Sequence, residues 1–178
     1  MSHPDRTADR IRLHPFAPLS FAILVAASAM TLFCPTVLAA DTAANGTLTY
    51  KGKSATLKYA YLVKGPDAVS KQTIRRLIVS ATDLGGRIQA CKTMSCTDSD
   101  LGDGLSVNLD GGPRFDYWMV MNDQRIQYSG TEPTASLTTK GNDAGRIAGA
   151  LRFDKTAAGG PKVDVEFDAA LVREVSAP

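Results

Sequence analysis

The chain has 178 residues, with 20 Lys and Arg against 18 Asp and Glu, and its formal net charge at pH 7 is +2. A charge so close to zero gives no general attraction for nucleic acid, whose binding depends on many phosphate contacts. The length suits one domain with its own hydrophobic core.

The first 40 residues have the features of a secretory signal peptide. Arg6, Arg10 and Arg12 precede the uncharged apolar run FAILVAASAMTLF, and the small residues of PTVLAADTA follow it. This order is typical of a cleaved leader, and the run is shorter than the roughly 20 residues that span a bilayer. We expect cleavage near residues 39/40, export to the periplasm or beyond, and no stable membrane insertion afterwards.

Removal of residues 1–40 also changes the inventory of reactive side chains. It takes both histidines, His3 and His14, together with Cys34, which follows Phe33 where a bacterial lipid-attachment signal has a small residue. Without histidine the chain cannot form a Ser-His-Asp or Cys-His arrangement, or the common His-based metal sites. The sequence therefore argues against the most frequent kinds of hydrolase.

Residues 44–178 are predicted to form a single all-β domain. Runs with two-residue alternation of apolar and polar side chains are separated by Gly, Pro, Asn and Asp turn signals. About eight strands without a sustained helical period favour an antiparallel β-sandwich or barrel-like domain. The predicted strands are 46–50, 54–64, 73–81, 105–110, 114–122, 125–131, the weaker 135–139, 146–154 and 162–175.

Two local features are predicted near the start of this domain. The segment KGK forms a hairpin turn in which Gly52 adopts positive φ. One short helical turn is expected around residues 88–94. Within 54–64, treated as one strand, the alternation places five side chains on one face, namely Ala55, Leu57, Tyr59, Tyr61 and Val63.

The segment CKTMSCTDSDLGDG, residues 91–104, contains the two cysteines that remain after cleavage. In an exported protein a close pair such as Cys91 and Cys96 most simply forms a disulfide. The spacing differs from the C-x-x-C of thioredoxin-like redox sites, and a four-ligand zinc site would need further soft ligands. We predict a structural disulfide.

The aspartates that follow suggest a weaker alternative, a calcium site. DSDLGDG resembles the start of a calcium-binding loop, with Asp98 and Asp100 at positions 1 and 3. However, Gly102 stands where the loop has an oxygen ligand, Asp103 where it has glycine, and Leu109 where it has a bidentate Glu. A looser calcium site formed by Asp98, Asp100, Asp103 and Asp110 remains an alternative, and calcium is the one cofactor that the sequence suggests. The simpler interpretation is a solvated turn.

The strand 114–122 has apolar side chains on both faces. Phe115, Tyr117, Met119 and Met121 alternate with Trp118 and Val120, which indicates a strand covered on both sides or a face open to a partner. We treat Trp118 and Tyr117 as a candidate partner surface. Trp118 could stack on a sugar, although tryptophan more often packs in a core.

The last strand carries a row of carboxylates, Asp164, Glu166 and Asp168. Carboxylates at this spacing are compatible with glycoside hydrolysis. A solvated sheet face produces the same pattern, and Arg152 on the preceding strand is placed to pair with Glu166. We therefore favour a structural interpretation of this row.

Several segments resemble a group of small exported proteins of proteobacteria with no assigned activity. They are GTLTYKGKSATLKYAYLVKGPD, RRLIVSATDL, RIAGALRF and VDVEFDAALV. The resemblance covers most of residues 44–178 and implies an all-β domain and export. It carries over no site residue.

Three functional hypotheses follow. The first is a non-enzymatic binding or structural module of the cell envelope, which contacts an envelope or extracellular protein or a glycan through residues 91–104 or the Trp118 strand. One version is an inhibitor or immunity-like protein of an envelope enzyme. The second is a carrier of calcium or another small ligand at residues 98–104. The third, a hydrolase that depends on Glu166, is the least favoured.

Overall fold

A computed structural model describes residues 43–122 and 124–176. The predicted leader, with His3, His14 and Cys34, lies outside the described residues. The ten strands of the described part are β1 Ala43–Tyr50, β2 Lys53–Leu57, β3 Tyr59–Pro66, β4 Thr73–Ser80, β5 Gly104–Asn108, β6 Arg114–Met121, β7 Ile126–Pro133, β8 Leu137–Asn142, β9 Arg146–Asp154 and β10 Lys162–Glu174. One helix, α1 Gly85–Ala90, and three short 3-10 turns, Met94–Cys96, Thr134–Ser136 and Thr156–Ala158, complete the elements.

The strands form a curled open sheet, and the all-β prediction is confirmed. Eight strands follow one another in the order β2-β1-β10-β3-β4-β5-β6-β7, while β9 pairs with β10 and β8 pairs with β9. Every pairing is antiparallel except that of β10 with β3. The long strand β10 makes this order possible. It pairs with β1 as far as Asp168 and with β9 as far as Ala170, and then with β3 from Leu171 to Glu174, with a register shift between Leu171 and Arg173.

The predicted strand 54–64 is in fact two strands, β2 and β3. The chain changes partners at Lys58, whose carbonyl accepts from Ala44 N at 2.9 Å and whose amide donates to Ser80 O at 2.9 Å. Because the break resets the alternation, Ala60 and Leu62 continue the buried face of Ala55 and Leu57. The prediction that Tyr59, Tyr61 and Val63 share that face is wrong, since these side chains pack on the other side of the sheet.

The predicted hairpin turn is confirmed, and the helical turn lies slightly earlier than expected. Tyr50 pairs with Lys53 across a two-residue turn in which Lys51 and Gly52 have φ of 47° and 75°. Positive φ at both central positions gives the twist that two antiparallel strands require. The helix α1 ends at Ala90, before the cysteines, and a 3-10 turn follows at Met94–Cys96.

Two separate apolar clusters explain why the central strands are apolar on both faces. The main core lies inside the curl and receives side chains from both ends of the strand order, among them Leu48, Leu62, Leu105, Tyr117 and Val165. The minor core lies on the outer face of β3, β4 and β6. It is covered by residues 84–103, which we call the covering segment and which contribute Leu84, Ile88, Met94 and Leu101.

Side chains join the two ends of the curled sheet. The last strand of the order, β7, carries Glu132, whose side chain is only 3% exposed and lies 3.0 Å from Lys155 Nζ in the turn between β9 and β10. On the same strand, the ring of Tyr128 lies 5.3 Å from that of Tyr50 on β1. These contacts hold β7 against the opposite end of the sheet.

Replacement of Lys155 by Met is expected to lower the free energy of unfolding by about 2 kcal/mol, because it leaves the buried carboxylate of Glu132 without its cation. The loss stays moderate because the side chain of Lys155 is itself 40% exposed, and water screens its charge. Urea denaturation of the variant and the unmodified protein measures this difference.

The matched control is Lys162→Met, which removes an ion pair with Asp154 whose side chains are both about half exposed. A loss below about 1 kcal/mol is expected there. Equal losses in the two variants would contradict the assigned role of Glu132.

Candidate binding groove

A polar groove lies on the outer face of β4–β7, beside the covering segment. The strand register places Arg76, Asn108 and Asp116 in one row across β4, β5 and β6. The next row contains Ser106 and Trp118, with Ser129 on β7. These side chains and Asp98 of the covering segment line a groove of about 330 Å³, a volume at the lower end of the range of small-molecule sites.

Trp118 sits at the border between the minor core and this groove. Its ring is half-buried and packs against the minor core. Its neighbours across the strands are Ser106 and Ser129, whose small side chains leave the indole uncovered on the groove side. Within residues 43–122 and 124–176, the indole N–H makes no hydrogen bond.

Tyr117 also borders this groove, although its side chain lies on the other face of β6. Its side chain points to the inner face, is 3% exposed, and has its ring centre 4.9 Å from that of Phe153 in the main core. Burial raises the pKa of its hydroxyl well above the ordinary value. The alternation of β6 therefore turns the side chains of Tyr117 and Trp118 to opposite faces of the sheet, and the role of Tyr117 in a partner surface stays a prediction.

A buried guanidinium connects the groove to the covering segment. Arg76, only 7% exposed, donates from Nε to Asn108 Oδ1 at 2.8 Å and from Nη1 to the Met94 carbonyl at 2.7 Å. The same Nη1 lies 3.0 Å from Asp98 Oδ2, which also accepts from Ser106 Oγ at 2.8 Å. A charge this far from water requires such partners, so the sheet holds the covering segment through Arg76.

The Cys91–Cys96 disulfide lies within the covering segment, as predicted. The two sulfur atoms are at bonding distance, and the Cα atoms are 5.5 Å apart. The closed ring contains Met94, whose carbonyl binds Arg76 and whose side chain lies in the minor core. The disulfide therefore restrains the part of the chain that contacts Arg76.

The four aspartates of the calcium hypothesis are not brought together. Asp98 pairs with Arg76, Asp100 with Arg87, and Asp110 with Arg75. Asp103 accepts a hydrogen bond from the backbone N–H of Asn122. Among the residues that the structure describes, no three His, Cys, Asp or Glu side chains are placed to hold a metal ion. Arginine side chains engage Asp98, Asp100 and Asp110, through oxygen atoms of the kind that a calcium ion binds.

The carboxylate row of β10 is also engaged. Arg152 donates to Asp164 at 2.9 Å and to Glu166 at 3.1 Å, and Arg146 donates to Asp168 at 2.6 Å and 2.8 Å. The predicted pairing of Arg152 with Glu166 is confirmed. This row forms a solvent-facing charge ladder on the other part of the sheet.

The groove residues other than Trp118 and Asp98 were not predicted from the sequence. Ser106, Asn108 and Asp116 look like ordinary solvent-facing positions of short strands. The available signal was Arg76, one of two charged residues in the run TIRRLIVS and the one that adjoins its apolar segment LIV. A charge in a strand covered on both faces requires buried partners.

A larger concavity of about 570 Å³ lies elsewhere, between the β3–β4 turn, the covering segment and the end of β10. Pro66, Met94 and Val175 form its apolar floor, with Lys71 and Lys92 at its rim. Of the segments predicted to contact a partner, residues 92–95 of the covering segment line it, whereas Trp118 does not.

The chain matches no known family model, no curated protein and no solved structure. No helix within 43–122 and 124–176 is long and apolar enough to cross a membrane.

Replacement of Asp98 by Ala is expected to destabilise the protein by about 3 kcal/mol, because it leaves Arg76 buried without a carboxylate. The matched control Asp100→Ala removes an ion pair of the same segment in which both side chains are about two-thirds exposed, and should cost less than about 0.5 kcal/mol. Thermal and urea denaturation compare the two. Similar values would show that Asp98 does not anchor the covering segment.

The pair of Asp110 with Arg75 predicts a pH dependence of stability. Hydrogen bonds from the guanidinium, at 2.8 Å and 2.7 Å, lower the pKa of the Asp110 carboxyl. A lowered pKa in the folded state contributes stability above the ordinary pKa, near 4, which is lost as the pH falls through the lowered value. At pH 7 the free energy of unfolding of the unmodified protein should therefore exceed that of Asp110→Asn by about 1 kcal/mol.

This difference should shrink as the pH falls below about 4, as measured by urea denaturation across the acid range. Asn tolerates the positive φ of 69° at position 110, so the substitution adds no backbone strain. Arg75→Gln should show the same pH-dependent part, added to a loss that does not vary with pH, because Arg75 also donates to Asn142 Oδ1 and to the Asp143 carbonyl. A difference that stays constant with pH would rule out the ion pair as its source.

Proposed function

We propose that the protein is an exported, non-enzymatic binding module and that the groove beside Trp118 is its ligand site. The observation that carries the proposal is the half-buried Trp118 ring, which borders a concave surface lined by polar side chains. An uncovered indole beside polar atoms is typical of sites where one apolar face and several hydrogen bonds are offered together.

The groove also has the rigidity that a binding site needs. Its floor consists of central strands, and one wall is the covering segment, fixed by Arg76, Asp98 and the Cys91–Cys96 disulfide. Side chains that are already ordered lose little conformational entropy when a ligand binds. This supports a binding role rather than a purely structural one.

Export is supported by the basic and apolar leader, whose features are those of a signal peptide, and by the disulfide, which persists in oxidising compartments. The resemblance to small exported proteobacterial proteins agrees with both. The curled sheet would serve as a β-sandwich scaffold, because residues from both ends of its strand order share the main core.

A second candidate function, an inhibitor-like protein of an envelope enzyme, is favoured by one exposed residue. Val69 is 90% exposed in the β3–β4 turn, where Asp67 accepts from the amides of Val69 at 3.0 Å and Ser70 at 2.7 Å. An apolar side chain on an ordered turn can insert into a partner's cleft. This alternative predicts that Val69→Ser no longer inhibits an envelope enzyme that the unmodified protein inhibits. Trp118→Phe should inhibit that enzyme as well as the unmodified protein does.

The binding proposal is tested by NMR on the mature protein purified from the periplasm. Trp118 is the sole tryptophan, so a single indole N–H signal reports on the groove. A low-molecular-mass digest of cell envelopes, freed of intact protein, should shift this signal. The expected shift is lost in Asp116→Ala and retained in Arg152→Ala, which alters the opposite part of the sheet.

Absence of any change at the indole signal, or changes confined to the concavity beside Lys92, would overturn the assignment of this groove. Mass spectrometry of the same sample checks export. A mature N-terminus near residue 40 and the two-hydrogen loss of an oxidised disulfide are expected, and an uncleaved or reduced chain would contradict export.

A further inference from the structure

The polar groups around Trp118 combine hydrogen-bond donors with acceptors on one small surface. Asp116 is exposed and forms no ion pair in the described part of the chain. The Asn108 side chain accepts from Arg76 through its oxygen, which leaves its amide group as a donor. Nη2 of Arg76 and the indole N–H make no hydrogen bond within residues 43–122 and 124–176.

We infer that the ligand of this groove is a neutral saccharide with adjacent hydroxyl groups, stacked on Trp118 and hydrogen-bonded to Asp116 and Asn108. The inference rests on the proposed function and adds the chemical class of the ligand. A sugar hydroxyl both donates and accepts, so it can donate to the Asp116 carboxylate and accept from the Asn108 amide.

The uncovered indole suits the apolar face of a sugar ring. The C–H groups on one face of a pyranose carry partial positive charge, and the face of an aromatic ring is negative. The serines on both sides of Trp118 leave room for a flat ring to lie against it. The volume of about 330 Å³ admits one or two sugar rings.

The charges of the groove favour a neutral ligand over an anionic one. Arg76 and Asp98 balance each other at 3.0 Å, and Asp116 adds one further negative charge. Arg114, which alternation places on the same face of β6 as Asp116, donates to Thr131 Oγ1 at 2.9 Å and to the Thr131 carbonyl at 3.1 Å. An anionic sugar would meet an uncompensated carboxylate, which weakens binding.

An extended peptide fits the groove less well. Peptides that add to sheets use the free backbone groups of an edge strand. Most of the groove instead crosses β4, β5 and β6, whose backbone groups are engaged in ladders on both sides, and the end strand β7 contributes only Ser129. Its contacts are therefore made by side chains above the sheet, where a compact polyhydroxyl ring is better matched.

The test titrates the oxidised mature protein with four separate probes, while the indole N–H signal and tryptophan fluorescence are recorded. Cellobiose and N,N′-diacetylchitobiose are neutral disaccharides, digalacturonate is their anionic counterpart, and trilysine represents a basic peptide. We expect a neutral disaccharide to saturate both signals, with at least about tenfold weaker binding of digalacturonate.

Variants assign the interaction to the groove. Asp116→Ala should lower the affinity for the neutral disaccharide by about tenfold, because one charge-assisted hydrogen bond is lost. Asn108→Ala alters a partner of Arg76 as well, so its effect counts only if its unfolding curve matches that of the unmodified protein. The control Asp164→Ala, on the other part of the sheet, should leave the affinity unchanged.

The outcomes separate this inference from the proposed function. If trilysine or digalacturonate shifts the indole signal and neither neutral sugar does, the saccharide inference is overturned and the groove remains a binding site. If none of the probes and no envelope digest moves the signal, both are overturned. The inference would also be overturned if a neutral disaccharide saturates the signals but binds Asp116→Ala as tightly as the unmodified protein.

Discussion

The buried contact between Arg76 and Asp98 holds the candidate site together. Arg76 belongs to a central strand, and its guanidinium reaches Asn108 on the neighbouring strand, the Met94 carbonyl inside the disulfide ring, and Asp98 beyond it. A buried guanidinium without these partners would be very costly. The covering segment must therefore lie where it supplies them, and that position determines where the groove begins.

The long strand β10 provides the sheet on which this contact is made. By pairing first with β1 and β9 and then with β3, it lets the inner faces of both ends curl over one main core. The outer face of β3, β4 and β6 is then left apolar and needs a second cover. The covering segment lies over that apolar area, and the polar part of the outer face that it leaves open, beside Trp118, is the groove.

Much of the fold could be predicted because its causes are local. Alternation marks several strands, most clearly β10, Gly52 marks the first turn, and the pairing of Arg152 with Glu166 follows from adjacent strands of a hairpin. The break at Lys58 could not be predicted, because an unbroken alternation from Ala55 to Val63 conceals a change of hydrogen-bonding partners. The ion pairs of the loop aspartates could not be predicted for a related reason, since the arginines that engage Asp98 and Asp110 are distant in the sequence.

By itself the sequence determined the all-β class, the disulfide between the two nearby cysteines, and the presence of apolar side chains on both faces of the Trp118 strand. These depend on period, spacing and side-chain chemistry, which are properties of neighbouring residues. Only the tertiary structure decided that Tyr117 faces the main core and Trp118 the groove, and that Asp98 serves as a counter-ion. Those outcomes depend on which distant segment covers which face, and that is settled by the burial of Arg76 and the partners it requires.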